Sequence, residues 1–180
     1  MKNLRPYLDK RPVLGQRVYV DPACTVIGDV VLGDDVSVWP GTVIRGDVNH
    51  VRIGARSNVQ DGTIIHVSHA SPYNKGGYPT LIGEDVTVGH GTILHACTIG
   101  DACLIGMGAC VLDGAVLEKN AFIGAGAVVG PGKKVGSGEL WLGNPARPAR
   151  QLSDKDIEGL LYSARHYVRL KDQYLAQPQD

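Results

Sequence analysis

Apolar positions between residues 99 and 135 recur with a period of six. Every sixth residue of this stretch is aliphatic: Ile99, Ile105, Val111, Leu117, Ile123, Val129 and Val135. An amphipathic helix repeats its apolar face about every 3.6 residues and a half-buried strand about every two, so neither element explains the period. Glycine follows five of these seven positions, and glycine adopts the positive φ that tight turns require. Each hexad therefore predicts one short strand and one corner.

Repeats of six residues are typical of parallel β-helices, in which each coil stacks on the previous one. Three hexads complete a coil, so residues about 18 apart lie in neighbouring coils, roughly 4.8 Å away. The triangular cross-section and the left-handed winding are implied by a resemblance to known hexapeptide-repeat proteins. Two insertions interrupt the repeats: residues 47–50 are predicted to lengthen one corner, and residues 68–80, rich in turn formers, to loop out.

The repeats end near Gly138, and the pattern then changes to that of a helix. Ser153 and Asp156 have the spacing of a capping box. An apolar stripe with helical spacing follows: Ile157, Leu160, Leu161, Ala164 and Val168. The predicted fold is thus all-β: a left-handed parallel β-helix over residues 1–150, followed over residues 151–180 by a C-terminal α-helix that packs on its outside.

Composition and charge narrow the classes of partner. Lysine plus arginine equals aspartate plus glutamate, 18 of each, so the chain has no general attraction to nucleic acid or to an anionic membrane. No apolar run approaches the roughly 20 residues that span a bilayer, and the N-terminus lacks a signal-peptide pattern. We therefore expect a cytoplasmic protein. None of the four cysteines has C-x-x-C spacing, which favours buried free thiols.

Three histidines fall on the six-residue lattice. His66 and His95 each directly follow an inward aliphatic residue on the same predicted face, one coil apart. A separation of about 4.8 Å suits two imidazoles that bind one metal ion. His90 falls on the adjacent face, so a neighbouring copy of the chain has to present it. The lattice predicts a metal site between subunits and three such sites in a homotrimer.

The same lattice places polar residues around this predicted site. Three imidazoles with an open position are the ligand set of a catalytic zinc ion, which lowers the pKa of bound water to about 7. Asp61 is predicted to stack beneath His90, with Gln60 beside it and Asp47 on the nearby corner. Arg45 is predicted to lie in the column of His66 and His95 and to form an ion pair with Asp61 at the trimer edge.

The combined pattern resembles the gamma-class carbonic anhydrases over nearly the whole chain. The motifs that carry the resemblance are Arg45-x-Asp47, Gln60-Asp61, His66, His90-x-x-x-x-His95, a Gly-Asn-Pro-Ala exit and a C-terminal helix. The resemblance implies that the three histidines bind zinc, with iron or cobalt as alternatives, between subunits of a homotrimer. It also implies that Arg45 and Asp47 form subunit ion pairs. Gln60 would position a metal-bound hydroxide that hydrates carbon dioxide to bicarbonate.

The chain departs from the family in the residues that move the proton. Founding members carry glutamates in an acidic loop, whereas residues 48–50 here read Val-Asn-His and residues 68–80 contain no acid, which favours a low turnover. His69 or His50 is the candidate replacement, because imidazole titrates near pH 6.5. Tyr162 is the candidate for an active-site role that an asparagine or tyrosine of the helix holds elsewhere in the family.

Two other functions stay open on the sequence alone. Hexapeptide acyltransferases use the same β-helix with a single histidine as general base. A metal-stabilised trimeric scaffold with little catalysis would need the three histidines but no proton carrier.

Overall fold

The computed structural model describes residues 3–177 and shows a left-handed parallel β-helix followed by one α-helix, as the sequence predicted. The first face comprises β1 (Leu4–Arg5), the N-terminal parts of β4 (Thr25–Leu32) and β6 (Val43–Ile53), β8 (Ile64–His66), β11 (Ile93–His95), β14 (Cys110–Val111) and β17 (Val128–Val129). The second comprises β2 (Val13–Leu14), the C-terminal parts of β4 and β6, β9 (Thr80–Ile82), β12 (Thr98–Ile99), β15 (Val116–Leu117) and β18 (Lys134–Val135). The third comprises β3 (Tyr19–Val20), β5 (Ser37–Val38), β7 (Asn58–Val59), β10 (Thr87–Val88), β13 (Leu104–Ile105), β16 (Phe122–Ile123) and β19 (Glu139–Leu142), with β20 (Arg147–Gln151) antiparallel to β19.

The core is the column of aliphatic side chains that the six-residue period predicted. On the first face, Ile44, Ile65, Leu94 and Val111 all point inward with no exposed surface. They are in register from coil to coil, because Ile44 pairs with Ile65, Ile65 with Leu94, and Leu94 with Val111. Burying each such side chain contributes about 1.5–3 kcal/mol. This stacking fixes the height of every residue that follows these positions in the chain.

Many glycines of the repeat have the predicted positive φ, Gly108 and Gly126 among them, but the glycines that directly follow the inward aliphatic residues do not. Gly100, which directly follows Ile99, does not have a positive φ. A Cβ at this glycine would instead lie 2.8 Å from the backbone nitrogen of Lys119 in the next coil, so glycine is needed there for close approach of two backbones. The residues with a positive φ come two positions later. At the corner between the second and third faces they are Arg17, Asp35, Arg56, Asp85, Ala102 and Asn120, followed by Gly138 at the last such corner.

The two insertions behave differently from each other. Residues 47–50 do not form a separate corner loop, because β6 continues through them, and its pairing with β4 shifts register between Gly28 and Val30. Residues 68–80 do leave the coil, as predicted. Ser68 and Tyr78 exchange backbone hydrogen bonds of 2.9 and 3.1 Å, so the excursion begins and ends at the same point.

The C-terminal helix α1 (Asp154–Ala176) packs on the third face against β3, β5, β7 and β10. Its predicted capping box is present: the Asp156 N–H donates to the Ser153 hydroxyl at 3.2 Å, and the Ser153 N–H donates to the Asp156 carboxylate at 2.8 Å. The predicted stripe contributes buried Leu160 and Ala164, and buried Lys171 extends the contact. Within residues 3–177, no helix is long and apolar enough to cross a membrane.

Candidate metal centre

His66 and His95 end two neighbouring strands of the first face and lie one above the other. The register pairs His66 of β8 with His95 of β11, which confirms the stacking predicted from the lattice. Nδ1 of His66 is 3.2 Å from Nε2 of His95, and the ring centroids are 5.2 Å apart. Both rings point outward because the preceding residues, Ile65 and Leu94, point inward and side chains alternate along a strand. One chain therefore brings two imidazoles to a single point.

A carboxylate lies against the other nitrogen of each ring. Asp47 Oδ1 is 3.0 Å from His66 Nε2, and Asp113 Oδ1 is 2.6 Å from His95 Nδ1. A carboxylate only accepts hydrogen bonds, so each of these ring nitrogens carries the hydrogen. In the neutral rings the two remaining nitrogens, Nδ1 of His66 and Nε2 of His95, are then both bare acceptors that face each other.

Two opposed lone pairs repel unless a cation lies between them. Burial lowers the pKa of His66, and this effect outweighs the opposite influence of Asp47, so the neutral ring is favoured. Neutral imidazoles whose second nitrogen donates to a carboxylate are the usual donors to zinc in proteins. The chemistry of this donor set therefore fits a divalent metal ion.

His90 lies elsewhere on the same chain, in the turn that follows β10. Its Nδ1 is 2.8 Å from Asp61 Oδ2, and both side chains are about half exposed. Asp61 lies one coil below His90, as predicted, and its carbonyl accepts a hydrogen bond from the Gly91 N–H. His90 thus also has one nitrogen held by a carboxylate. In the part of one chain that is described, no three histidine, cysteine or acidic side chains come close enough to hold a metal.

Arg45 and Asp47 form an ion pair within the chain, at the edge of the histidine pair. Burial alone would raise the pKa of Asp47, but hydrogen bonds from Arg45 and His66 outweigh it and keep this pKa below its usual value. The predicted pairing of Arg45 with Asp61 is not formed among the described residues. Within one chain the two lie on different faces and Asp61 contacts His90, so the pair predicted at the trimer edge would have to join two subunits and stays a prediction.

Gln60 is 5 % exposed and directly follows β7 on the third face, next to Asp61. Its Nε2 donates to Asn58 Oδ1 at 3.1 Å, and Asn58 Nδ2 donates to the Thr87 hydroxyl at 3.0 Å. The Thr87 hydroxyl donates in turn to Ser163 of α1 at 3.2 Å. Because Gln60 Nε2 is the donor to Asn58, Gln60 Oε1 is an acceptor, and no donor of residues 3–177 contacts it.

The structure places the two remaining candidates on the surface. Tyr162 lies on the outer side of α1, 63 % exposed, with its ring stacked on His166 and beneath the guanidinium of Arg169. His69 is exposed in the loop of residues 68–80. Their roles stay predictions, because neither side chain contacts the His66–His95 pair within the described chain.

Two residues of the site were not predicted. Asn58 precedes Gln60 by two positions on one outward face, a period-two signal that was present in the sequence. Asp113 follows His95 by 18 residues, which is one lattice coil. That spacing was also readable, but Asp113 lies in a turn, where the strand lattice does not fix the direction of a side chain.

The sequence is similar to one protein-family model and to several known proteins. A family model described as bacterial transferase hexapeptide (six repeats) matches residues 11–46 and 96–131. The chain is 56 % identical to Protein YrdA of Escherichia coli over 97 % of its own length and 95 % of that protein. It is 44 % identical to the probable carbonic anhydrase of Methanocaldococcus jannaschii (89 % and 96 %) and 44 % identical to the mitochondrial gamma carbonic anhydrase 2 of Arabidopsis thaliana (94 % and 60 %).

Two solved structures share the whole fold. A hexapeptide transferase family protein from Anaplasma phagocytophilum superposes with a TM-score of 0.89 at 39 % identity, covering 97 % of this chain and 99 % of that one. A protein from Bacillus cereus titled as a putative acetyltransferase superposes with a TM-score of 0.88 at 41 % identity, covering 95 % of each chain.

Proposed function

Because this chain belongs to the gamma-class carbonic anhydrase family, we propose that it catalyses the reversible hydration of carbon dioxide to bicarbonate, at metal sites shared between subunits of a homotrimer. The observation that carries the proposal is the His66–His95 pair. Two acceptor nitrogens face each other at 3.2 Å, and each ring is held from behind by a carboxylate. An arrangement of this kind is unfavourable without a cation and well suited to one.

Three ring nitrogens would hold the metal ion: Nδ1 of His66, Nε2 of His95, and Nε2 of His90 from the partner subunit. Zinc is the expected ion, with iron or cobalt as alternatives, since imidazole suits all three. When bound, such an ion lowers the pKa of water to about 7 and so supplies hydroxide at neutral pH.

A column of exposed aliphatic side chains supports trimer formation through the first face. Ile64 and Ile93 are 47 % and 39 % exposed and lie beside His66 and His95. The column continues through half-buried Val43, Cys110 and Val128. A contiguous apolar strip of this kind marks an interaction surface. A threefold arrangement about this face would bring the half-exposed His90 of one subunit towards the histidine pair of the next.

The remaining residues bind, orient and carry protons. Gln60 Oε1, left free by the bond from Nε2 to Asn58, accepts a hydrogen bond from the attacking water and orients it towards carbon dioxide. His69, exposed in a loop whose ends are fixed to each other, takes the released proton to solvent. Asp47 and Asp61 hold the rings of His66 and His90.

The decisive experiment is a stopped-flow hydration assay on zinc- and cobalt-loaded protein, with oligomeric state measured in parallel. We expect hydration by the wild-type trimer. His90→Ala should reduce the rate to that of metal-free protein while the trimer persists, and Arg165→Ala, a change on the solvent side of α1, should leave it unchanged. Wild-type trimer that binds metal but hydrates no carbon dioxide would indicate a scaffold instead.

Acyl transfer is the second candidate, and the Bacillus cereus structure titled as a putative acetyltransferase is the observation that favours it. A general base requires a single imidazole, whereas here two converge, which is unexplained by acyl transfer. Release of thiol from an acyl thioester, followed with an aromatic disulfide that the thiol cleaves and lost in His95→Ala, would support this alternative. Carbon dioxide hydration without thioester turnover would exclude it.

A further inference from the structure

We propose that Asp113 is a positioning residue that fixes the tautomer and orientation of His95, so that Nε2 is always the nitrogen offered to the metal. This inference rests on the proposed function and adds a residue to it. Three carboxylates contact the three histidines, and the contact of Asp113 with His95 is the shortest, 2.6 Å against 2.8 and 3.0 Å. Short contacts of this kind are typical of charge-assisted hydrogen bonds.

The backbone around Asp113 is tied to the coils on both sides. The Gly114 N–H donates to the carbonyl of Ala96 at 2.8 Å, and the Gly132 N–H donates to the carbonyl of Asp113 at 2.9 Å. Gly114 has a φ of 68°, so the turn is one that glycine accommodates without strain. The position of the carboxylate is therefore set by the β-helix itself and follows any shift of the strand that carries His95.

Within the described residues, the carboxylate of Asp113 contacts only the ring of His95. Asp47, in contrast, is shared between Arg45, His66 and the backbone N–H of Val48. Among residues 3–177, His95 is the one ionic or hydrogen-bond partner of the Asp113 side chain. Loss of this carboxylate would therefore act on a single ring and leave the other contacts of the centre in place.

The physical reason for the role lies in the alternative that Asp113 prevents. If His95 carried its hydrogen on Nε2, that N–H would donate to His66 Nδ1 across the observed 3.2 Å and form a stable histidine–histidine hydrogen bond. Both metal-binding nitrogens would then be occupied by each other. With Asp113 present, this tautomer would point the bare Nδ1 at a carboxylate only 2.6 Å away, which is strongly repulsive. Asp113 thus keeps the pair open for a cation.

The size of the effect follows from similar contacts in other proteins. Partners that hold the second nitrogen of a metal-bound histidine typically contribute 10–100-fold to metal affinity. We therefore expect Asp113→Asn to weaken cobalt affinity by about 10–100-fold, because a neutral amide tolerates either tautomer of the ring. Asp113→Glu, which retains a carboxylate, should recover part of the loss.

The test combines cobalt affinity, by chelator competition, with the tautomer of His95 from ¹⁵N NMR of the metal-free protein. In the wild type we expect the hydrogen on Nδ1, and in Asp113→Asn a shift towards Nε2–H. Asp9→Asn, at an 82 % exposed carboxylate, is the matched control and should change neither quantity. Sedimentation and thermal melting check that each variant is folded and assembled.

The possible outcomes separate this proposal from the proposed function. Unchanged cobalt affinity and tautomer in a folded Asp113→Asn protein would overturn the role of Asp113 and leave the carbonic anhydrase proposal intact. A wild-type protein that binds no metal would overturn both. Reduced affinity together with the shifted tautomer supports the proposal, whereas reduced affinity with an unchanged tautomer contradicts it, because the loss would then not arise from the ring.

Discussion

His66 Nδ1 lies 3.2 Å from His95 Nε2, although 29 residues separate the two histidines in the chain. The pair is held at this distance by parallel strand pairing and by the fully buried side chains of Ile65 and Leu94 behind it. Its geometry therefore depends on the same stacking that folds the β-helix.

Loss of either histidine of the pair should abolish metal binding. We expect wild-type protein purified without chelator to contain about one metal ion per chain. His66→Ala and His95→Ala should contain almost none, because a site with two protein ligands is much weaker. His166→Ala, on the exposed side of α1, is the control, and elemental analysis is the measurement. Full metal content in His95→Ala would place the ion elsewhere.

A charge in the exposed aliphatic column should dissociate the trimer. Ile64→Asp would bury an unpaired carboxylate in the proposed interface, which is costly. The matched control is Val116→Asp, since Val116 is similarly exposed, 38 % against 47 %, but lies on the second face. Analytical ultracentrifugation should show monomers for the first variant and trimers for the second. A trimeric Ile64→Asp protein would mean that subunits meet through another surface.

Truncating the core at the level of the metal centre should destabilise the fold. Leu94 has no exposed surface, and Leu94→Ala should lower the free energy of unfolding by about 2–5 kcal/mol, through lost burial and a residual cavity. Leu175, 43 % exposed near the end of α1, serves as control, and its change to alanine should have little effect. Urea denaturation monitored by circular dichroism gives both values.

The buried ammonium of Lys171 should stabilise the docking of α1. It has no exposed surface and contacts Asp35 at 2.7 Å and Asp172 at 2.5 Å. Lys171→Met should cost about 1–3 kcal/mol, because it leaves the carboxylate of Asp35 without this partner. The exposed Lys155 gives the control, Lys155→Met. Equal stability of the two variants, measured in urea, would show that the ion pair contributes nothing net.

Stability should fall in alkaline solution because of buried thiols. Burial raises the pKa of Cys24 to about 11 and that of Cys97 to about 12. Unfolded thiols ionise near pH 8.5, so above that pH the unfolded chain has released protons that the folded chain retains. The free energy of unfolding should then decrease by up to about 1.4 kcal/mol per pH unit for each thiol, between about pH 9 and 11.

Unfolding of wild type and Cys97→Ala, measured from pH 7 to 10.5, isolates this contribution. The variant should be less stable at neutral pH but should have a shallower decline above pH 9. Parallel curves for the two proteins would contradict the assignment to this thiol. Both curves should be flat between pH 7 and 8, where the thiols are protonated in either state.

The strand lattice could be predicted from the sequence, whereas the features that depend on turns could not. The period of six placed Ile65 and Leu94 in one column and so placed His66 beside His95, because side-chain direction in a strand is set by position alone. Asp113 escaped prediction because it lies in a turn, where φ and ψ of each residue determine where the side chain points. Gly100 was assigned to a corner for its φ, but close backbone approach requires it.

The hydrophobic pattern also could not predict which side chains of separate elements contact each other. The apolar stripe predicted α1 and its packing on the β-helix, but not that Lys171 would be buried, because its partner Asp35 comes from a distant corner. Tyr162 was predicted only to have an active-site role, and in the single chain it lies exposed on the outer side of α1. Whether a neighbouring subunit approaches it depends on assembly geometry that no single-chain periodicity encodes.

The loop of residues 68–80 interrupts the very coil that links His66 to His95, yet it leaves their alignment intact. Because the backbones of Ser68 and Tyr78 are hydrogen-bonded to each other, the chain returns to the coil at the point where it left it. The loop should therefore tolerate changes in length and sequence, natural or engineered, without displacing the two imidazoles. The same β-helix can therefore carry loops of different sequence at this point while His66 and His95 stay in register.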